Sequence, residues 1–139
     1  MSAKDKIHDA VKNALIKAGW TITDDPLSLT FAEDATVFVD LGAERLIAAE
    51  QGSTKIAVEV KTFIGASAIR DMELALGQYI MYRGFLRELE PDRKLYVAIN
   101  LQTYQSVFQR PSIRFLRTES QMSLLIVDVM SEETVEWIN

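Results

Sequence analysis

The chain has 139 residues, enough for one domain and too few for two of ordinary size. Apolar residues make up 48% of it and can fill a sizeable core, while the absence of cysteine excludes a disulfide framework and a thiolate zinc site. A net charge of −5 argues against a protein that coats nucleic acid through a basic surface, yet it is compatible with protein binding and with a metal-dependent nuclease, whose bound cations invert the local field.

The N-terminus, Met-Ser-Ala-Lys-Asp-Lys, is charged at once and shows no apolar signal region. No run approaches the roughly 18–20 apolar residues that span a bilayer. The expected setting is soluble and cytoplasmic, with no membrane partner.

Ser2 and Asp5 have the spacing of a capping box. Ile7, Val11, Ala14, Leu15 and Ala18 follow at helical spacing, and Gly19 suits a helix end, so a helix is expected over residues 3–18. His8, the single histidine, sits at the edge of that stripe. Residues 20–23 alternate as a short strand, Asp24-Asp25-Pro26 signals a turn, and Leu27, Leu29 and Phe31 alternate again. After a polar loop at 32–35, residues 36–41 are strongly β-forming and carry Asp40 near their end. Residues 43–50 have helical propensity. The correspondence of Leu-Ile-Ala-Ala-Glu with Lys-Ile-Ala-Val-Glu across a Gly-containing turn nevertheless favours a hairpin, with Glu50 and Lys55 as a cross-strand ion pair.

Ser67 is a plausible N-cap for a long helix ending before Glu90-Pro91-Asp92. Ile69, Met72, Leu76, Tyr79 or Ile80, and Arg83 or Phe85 trace its stripe. Gly77 and Gly84 weaken it and mark close packing on a neighbouring element. A buried strand at 94–99, a short helix at 101–109 stopped by Pro111, a helical turn at 113–116, a buried strand at 123–129 and a short strand at 134–138 complete the chain. The order implies one α/β domain over residues 1–139, a mixed sheet covered by helices.

The chemistry concentrates at residues 56–61. Ile56, Val58 and Val60 alternate with Ala57, Glu59 and Lys61, so Glu59 and Lys61 share one face of a strand. With Asp40 brought alongside, two hard carboxylates and the carbonyl of Val60 suit Mg²⁺ or Mn²⁺. The cation would polarise a scissile phosphate and acidify water, and Lys61 would stabilise the developing negative charge. Gln78 and Tyr82 are four apart on the long helix and share a face, where Gln78 could orient water and Tyr82 contact phosphate. The same Glu-Val-Lys pattern also occurs on ordinary exposed strands. Arg70, Arg83, Arg87 and Arg93 read as solvated helix-face residues.

Together, Asp40, Glu59-Val60-Lys61 and Gln78-Tyr79 resemble the PD-(D/E)xK phosphodiesterase superfamily. That resemblance implies a restriction-endonuclease-like fold with an αβββαβ core. Residues 7–15 (IHDAVKNAL), 39–48 (VDLGAERLIA), 57–63 (AVEVKTF) and 75–79 (ALGQY) resemble the XisH family, and the similarity covers nearly the whole chain. XisH proteins are named as controlling factors for excision of the fdxN element, a site-specific DNA rearrangement in cyanobacteria, and are often paired with a XisI protein. The resemblance thus implies a catalytic set of Asp40, Glu59, Lys61 and Gln78, metal ligands Asp40, Glu59 and Val60, and contact of Tyr82 with substrate. DNA, a XisI-like protein and a site-specific recombinase are the implied partners. Val39 stands where the superfamily's proline would be. The first-helix acid of many members corresponds to His8 or Asp9, with His8 preferred, and Glu44 is a further acid near Asp40. A homodimer would let two single-strand cuts act on one duplex. A non-catalytic accessory factor that binds DNA or XisI is the competing reading.

Overall fold

In the computed structural model, which describes residues 3–31, 35–37 and 46–139, the hairpin at 46–60 sets the architecture. Strand β4 (Leu46–Gln51) pairs antiparallel with β5 (Thr54–Val60), and Glu50 lies opposite Lys55. Gly52 takes a φ of 60° in the turn, a conformation that glycine adopts without steric cost. The expected ion pair forms, with Lys55 Nζ 4.0 Å from Glu50 Oε1 at a half-exposed position, and contributes under about 1 kcal/mol. The helical alternative for this stretch loses because both strands bury alternating aliphatic side chains.

Beside the hairpin lie β1 (Thr21–Asp24), β6 (Arg93–Asn100), β7 (Leu124–Asp128) and β8 (Glu133–Ile138), giving a six-stranded sheet in the order β1-β4-β5-β6-β7-β8. β5, β6 and β7 are parallel and the remaining pairs antiparallel. Parallel neighbours need crossovers. Helix α2 (Ala68–Leu89) joins β5 to β6; α3 (Leu101–Ser106), a 3-10 turn at Val107–Gln109, and α4 (Pro111–Ser120) join β6 to β7. Both crossovers pack on one face of the sheet, as successive connections of the same hand require. Helix α1 (Ala3–Lys17) covers the other face with Val11, Ala14 and Leu15. The sheet is therefore buried on both sides. On β5, Ile56, Val58 and Val60 face α1, and Ala57 faces α2.

Most elements fall where the pattern puts them, with these differences. Five strands precede α2 among the described residues, against three or four expected. The helical turn expected at 113–116 is a ten-residue helix, because Pro111 opens α4 at its first turn, where its missing N–H is no loss, as well as closing the helix before it. The strands β2 (Leu29–Phe31) and β3 (Ala35–Val37) pair only with each other, as a separate ribbon against α2. The buried stripe of α2 is Met72, Ala75, Tyr79, Tyr82 and Leu86; Ile69 and Ile80 are exposed. Apolar residues occur on both faces of this helix, so spacing alone did not choose between them. Ser67 caps it as expected, its hydroxyl accepting from the Arg70 N–H at 3.3 Å.

The rotation of that stripe has a direct consequence. Leu86→Ala should cost about 2–5 kcal/mol of stability, whereas Leu74→Ala, at a 64% exposed position, should stay within about 0.5 kcal/mol. Urea midpoints of dilute protein distinguish the two, and equal losses would mean that the helix is turned the other way.

Candidate functional site

Glu59 and Lys61 lie at the C-terminal end of β5, a central strand. Glu59 is in register with Leu46 of β4 and Val97 of β6, and the Lys61 N–H donates to the Ala98 carbonyl at 3.0 Å. By alternation with Ala57, both side chains point to the α2 face. Glu59 is fully buried and Lys61 is 6% exposed. The Lys61 ammonium stands 3.1 Å from Glu59 Oε1 and also donates to Gln78 Oε1 on α2. The structure thus brings together three of the residues singled out in the sequence. The four-residue spacing on α2 puts Tyr82 on the same side of the helix; it is 3% exposed within the core beneath α2. Val60 turns its side chain to the opposite core, against α1. Immediately after the pair, Phe63 adopts a φ of 53°, a region that bulky residues rarely occupy. Its ring packs edge-on against Phe108 with centroids 5.0 Å apart, which holds the strained exit from β5.

Asp40 and Glu44 lie outside the described residues. In sequence, Asp40 precedes Leu46 by six residues, and Leu46 is the register partner of Glu59. Ala35–Val37, the described part of the run leading to Asp40, pairs with β2 rather than beside β5. Among the described residues no three His, Asp or Glu side chains gather as a metal cage.

His8 is placed on the other side of the sheet. It is 4% exposed, with Nε2 3.1 Å from Asp25 Oδ1, while Lys12 donates to Asp25 Oδ2 at 2.9 Å. Buried His8 Nδ1 meets no hydrogen-bond partner among the described residues. Asp24 is in register with Ala48, and Ala48 with Ala57, so Asp25 leaves the sheet near the end that carries Glu59. The spacing of Asp24-Asp25-Pro26 signalled only a turn; nothing local announced that Asp25 would receive two cationic or potentially cationic partners. Burial alone pushes the Asp25 carboxyl up, but the bonds from Lys12 and His8 outweigh it and hold the group below its ordinary value.

Arg93 also departs from its reading as a solvated helix residue. It opens β6, is 7% exposed, and donates to the Ile56 carbonyl at 2.9 Å while its guanidinium lies 3.2 Å from Glu90 and 3.6 Å from Glu50. It ties the hairpin to the end of α2. Near it, a 310 Å³ pocket is lined by Arg83, Arg87, Arg93 and Lys94. This pocket sits at the opposite end of the strands, since Lys55 rather than Glu59 is in register with Arg93. The C-termini of α2 and α4 converge there, and cations favour helix C-termini. Arg83 donates to the Ser120 carbonyl and Arg93 contacts Glu90. Its positive lining is occupied by these structural contacts, and the reactive residue types lie elsewhere.

The model of the XisH protein family matches residues 1–135. The chain belongs to the XisH family. An XisH family protein from Nostoc punctiforme has the same fold, with 44% sequence identity, a TM-score of 0.89, and coverage of 97% of this chain and 100% of that one. A fdxN element excision controlling factor protein from Anabaena variabilis shares 46% identity, with a TM-score of 0.88 over 97% of this chain and 99% of that one. No curated protein matches. No helix among the described residues of this XisH chain is long and apolar enough to cross a membrane.

Two outcomes follow from the charged groups. Because the folded-state carboxyl of Asp25 titrates below its ordinary 3.8, its contribution to stability is full above that value and is lost as pH falls through the lower folded-state value. Melting curves of wild type and Asp25→Asn should therefore differ most at neutral pH and converge in strong acid; a constant gap would rule out the ion pair as the cause. For the buried pair, Lys61→Met alone should cost about 3–5 kcal/mol, whereas Glu59→Leu with Lys61→Met should recover most of that loss. A double variant as unstable as the single one, judged by denaturant midpoint, would make the pair a structural requirement.

Proposed function

We propose that this chain is a divalent-cation-dependent DNA endonuclease or nicking factor supporting site-specific DNA excision, built on a restriction-endonuclease-like core of the PD-(D/E)xK type. The observation that carries this reading is the buried Glu59–Lys61 pair under Gln78. Two apolar side chains in the same place would fill the sheet without desolvating charge, and burying such a pair is often neutral or unfavourable for stability. Its presence on a central strand is therefore best explained by chemistry. The name of the Anabaena variabilis relative, an excision controlling factor, supports a DNA-processing setting.

The donor set suits a hard cation. Glu59 offers carboxylate oxygens at the strand end, Val60 offers a carbonyl while its side chain stays in the core, and Asp40 supplies the second carboxylate. When bound, Mg²⁺ or Mn²⁺ supplies a Lewis acid for the scissile phosphate and lowers the pKa of water. Lys61 then stabilises negative charge on the phosphate oxygens. Gln78 orients the Lys61 ammonium and a neighbouring water, and Tyr82, one turn further along α2, packs in the core that seats this helix. His8, in the sequence place of the superfamily's first-helix acid, is buried with Asp25 on the other face of the sheet and serves there to hold α1.

A second reading is favoured by the net charge of −5, which suits protein partners better than a polyanion. In it the chain is a non-catalytic factor that engages a XisI-like protein or DNA and controls a recombinase.

Glu59→Gln separates the two. The amide oxygen can still accept from Lys61, but the buried ammonium loses its counter-charge and the variant loses stability, so nicking is compared at a temperature where circular dichroism shows both proteins folded. Under the first reading it should lose nicking of supercoiled plasmid in Mg²⁺ by at least about 100-fold, along with calorimetric Mg²⁺ binding. Unchanged nicking by the folded variant would sink the catalytic assignment. A wild type that neither nicks nor takes up the cation, yet co-purifies with its XisI-like partner, would support the second.

A further inference from the structure

The outer face of α2 differs from an ordinary solvated helix surface. Leu74, Ile80 and Met81 are 64%, 54% and 48% exposed, on the side opposite the buried stripe. Gly77 and Gly84 run down the middle of this face, seven residues or about two turns apart. Glycine weakens a helix interior relative to alanine, and a left-handed φ or the close approach of another backbone usually explains its presence. Neither explanation is found among the described residues. Neither glycine has a positive φ, and a Cβ at either would meet no described atom within 4 Å. The neighbouring element expected from the sequence is not among the described residues.

We propose that this face joins two copies of the chain through antiparallel packing of their α2 helices about a two-fold axis at the level of Tyr79. The residues are self-complementary in that arrangement. Leu74 and Gly84 lie five residues to either side of Tyr79, so each leucine meets the glycine of the second copy. Met81 and Gly77 lie two residues to either side and meet in the same way. Large side chains thus enter the gaps left by glycines, as knobs enter holes at helical interfaces. Arg70 and Glu88 lie nine residues to either side, so opposite charges face each other at both ends of the contact. Parallel packing would instead set Arg70 against Arg70 and Glu88 against Glu88. Two-fold symmetry makes each contact occur twice.

The size of the face sets the strength. Helix α2 has 22 residues, about 33 Å of length, and at a helix width of about 10 Å its outer stripe offers about 330 Å² per copy. Phe115, 63% exposed on the adjoining α4, adds apolar surface to the same layer. That is below the roughly 800 Å² per partner of a standard interface, so the dimer dissociates on dilution. The contact is independent of whether Glu59 and Lys61 turn over a substrate.

Sedimentation velocity of the full chain from low micromolar to submillimolar concentration tests this. Wild type should pass from monomer to dimer. Leu74→Asp and Gly84→Arg should each stay monomeric throughout, with circular dichroism and melting temperature showing an intact fold. Arg70→Glu should weaken the dimer about tenfold by creating two like-charge contacts, and adding Glu88→Arg should restore it. A wild type that stays monomeric, whether or not the face captures a different protein, overturns the proposal. So does a dimer indifferent to both Leu74→Asp and Gly84→Arg, or a charge swap that fails to restore the contact.

Discussion

A carboxylate and an ammonium inside a sheet that is covered on both faces have to be held by everything around them. Glu59 has no exposed surface and Lys61 almost none, so neither charge is solvated by bulk water. Their separation of 3.1 Å and the Lys61 contact to Gln78 stand in for that lost hydration. This constraint fixes the position of α2, because Gln78 reaches Lys61 only if Tyr79, Tyr82 and Leu86 are buried against β6 and β7 and its neighbours. It also fixes the strand end. The Lys61 N–H is tied to Ala98, and the left-handed turn at Phe63 carries the chain away at once, so the pair sits at the point where the strand stops.

The division of labour between the two cores follows. On the α1 side, β5 presents Ile56, Val58 and Val60 to Val11, Ala14 and Leu15. On the α2 side it presents Ala57, then the charged pair. Small Ala57 and Ala48 share this buried cluster with Met72 and with Tyr79, whose hydroxyl accepts from the Ser123 N–H at 3.1 Å. Arg93 performs the complementary task at the other end of the strand, where the hairpin carbonyls, Glu50 and the last turn of α2 would otherwise be loosely joined. One end of β5 is thus locked by a cation bonded to a backbone carbonyl, and the other end carries a cation in contact with the Glu59 carboxylate and the Gln78 amide.

Much of this was legible in the sequence because it rests on period. Alternation at 56–61 gave the strand and the shared face of Glu59 and Lys61; the matching apolar runs around Gly52 gave the hairpin; four-residue spacing gave Gln78 and Tyr82 a common side. What was not legible rests on tertiary choice. The stripe of α2 was legible at Met72, Leu76, Tyr79 and Phe85 but not at Ile69, which is exposed, nor at Ala75, Tyr82 and Leu86, because apolar residues occupy both of its faces and only the sheet selects one. Arg93 looked like a surface residue because its acceptors are carbonyls far away in sequence. Asp25 looked like a turn residue because its partners, His8 and Lys12, sit a helix away. Pro111 carries two meanings, helix stop and helix start, and the residues after it decide between them. Asp40, the most consequential of the expected ligands, falls outside the described residues, so the candidate site is seen from the Glu59 side.

The two-sidedness of α2 links these points. A helix that only covered a sheet would carry polar residues along its whole outer face, whereas here Arg70, Glu73 and Glu88 lie toward the ends and Leu74, Gly77, Met81 and Gly84 between them. Here the inward face is specified by aromatic packing and by Gln78 over the charged pair, and the outward face by leucine, methionine and glycine in alternating register. The same 22-residue element therefore connects the position of Gln78 to whatever rests on its outer surface. A rigid helix transmits a shift along its whole length, because its backbone hydrogen bonds leave little room for local bending. Gln78 and Met81 thus belong to one element, with one face turned to the charged pair and the other to solvent.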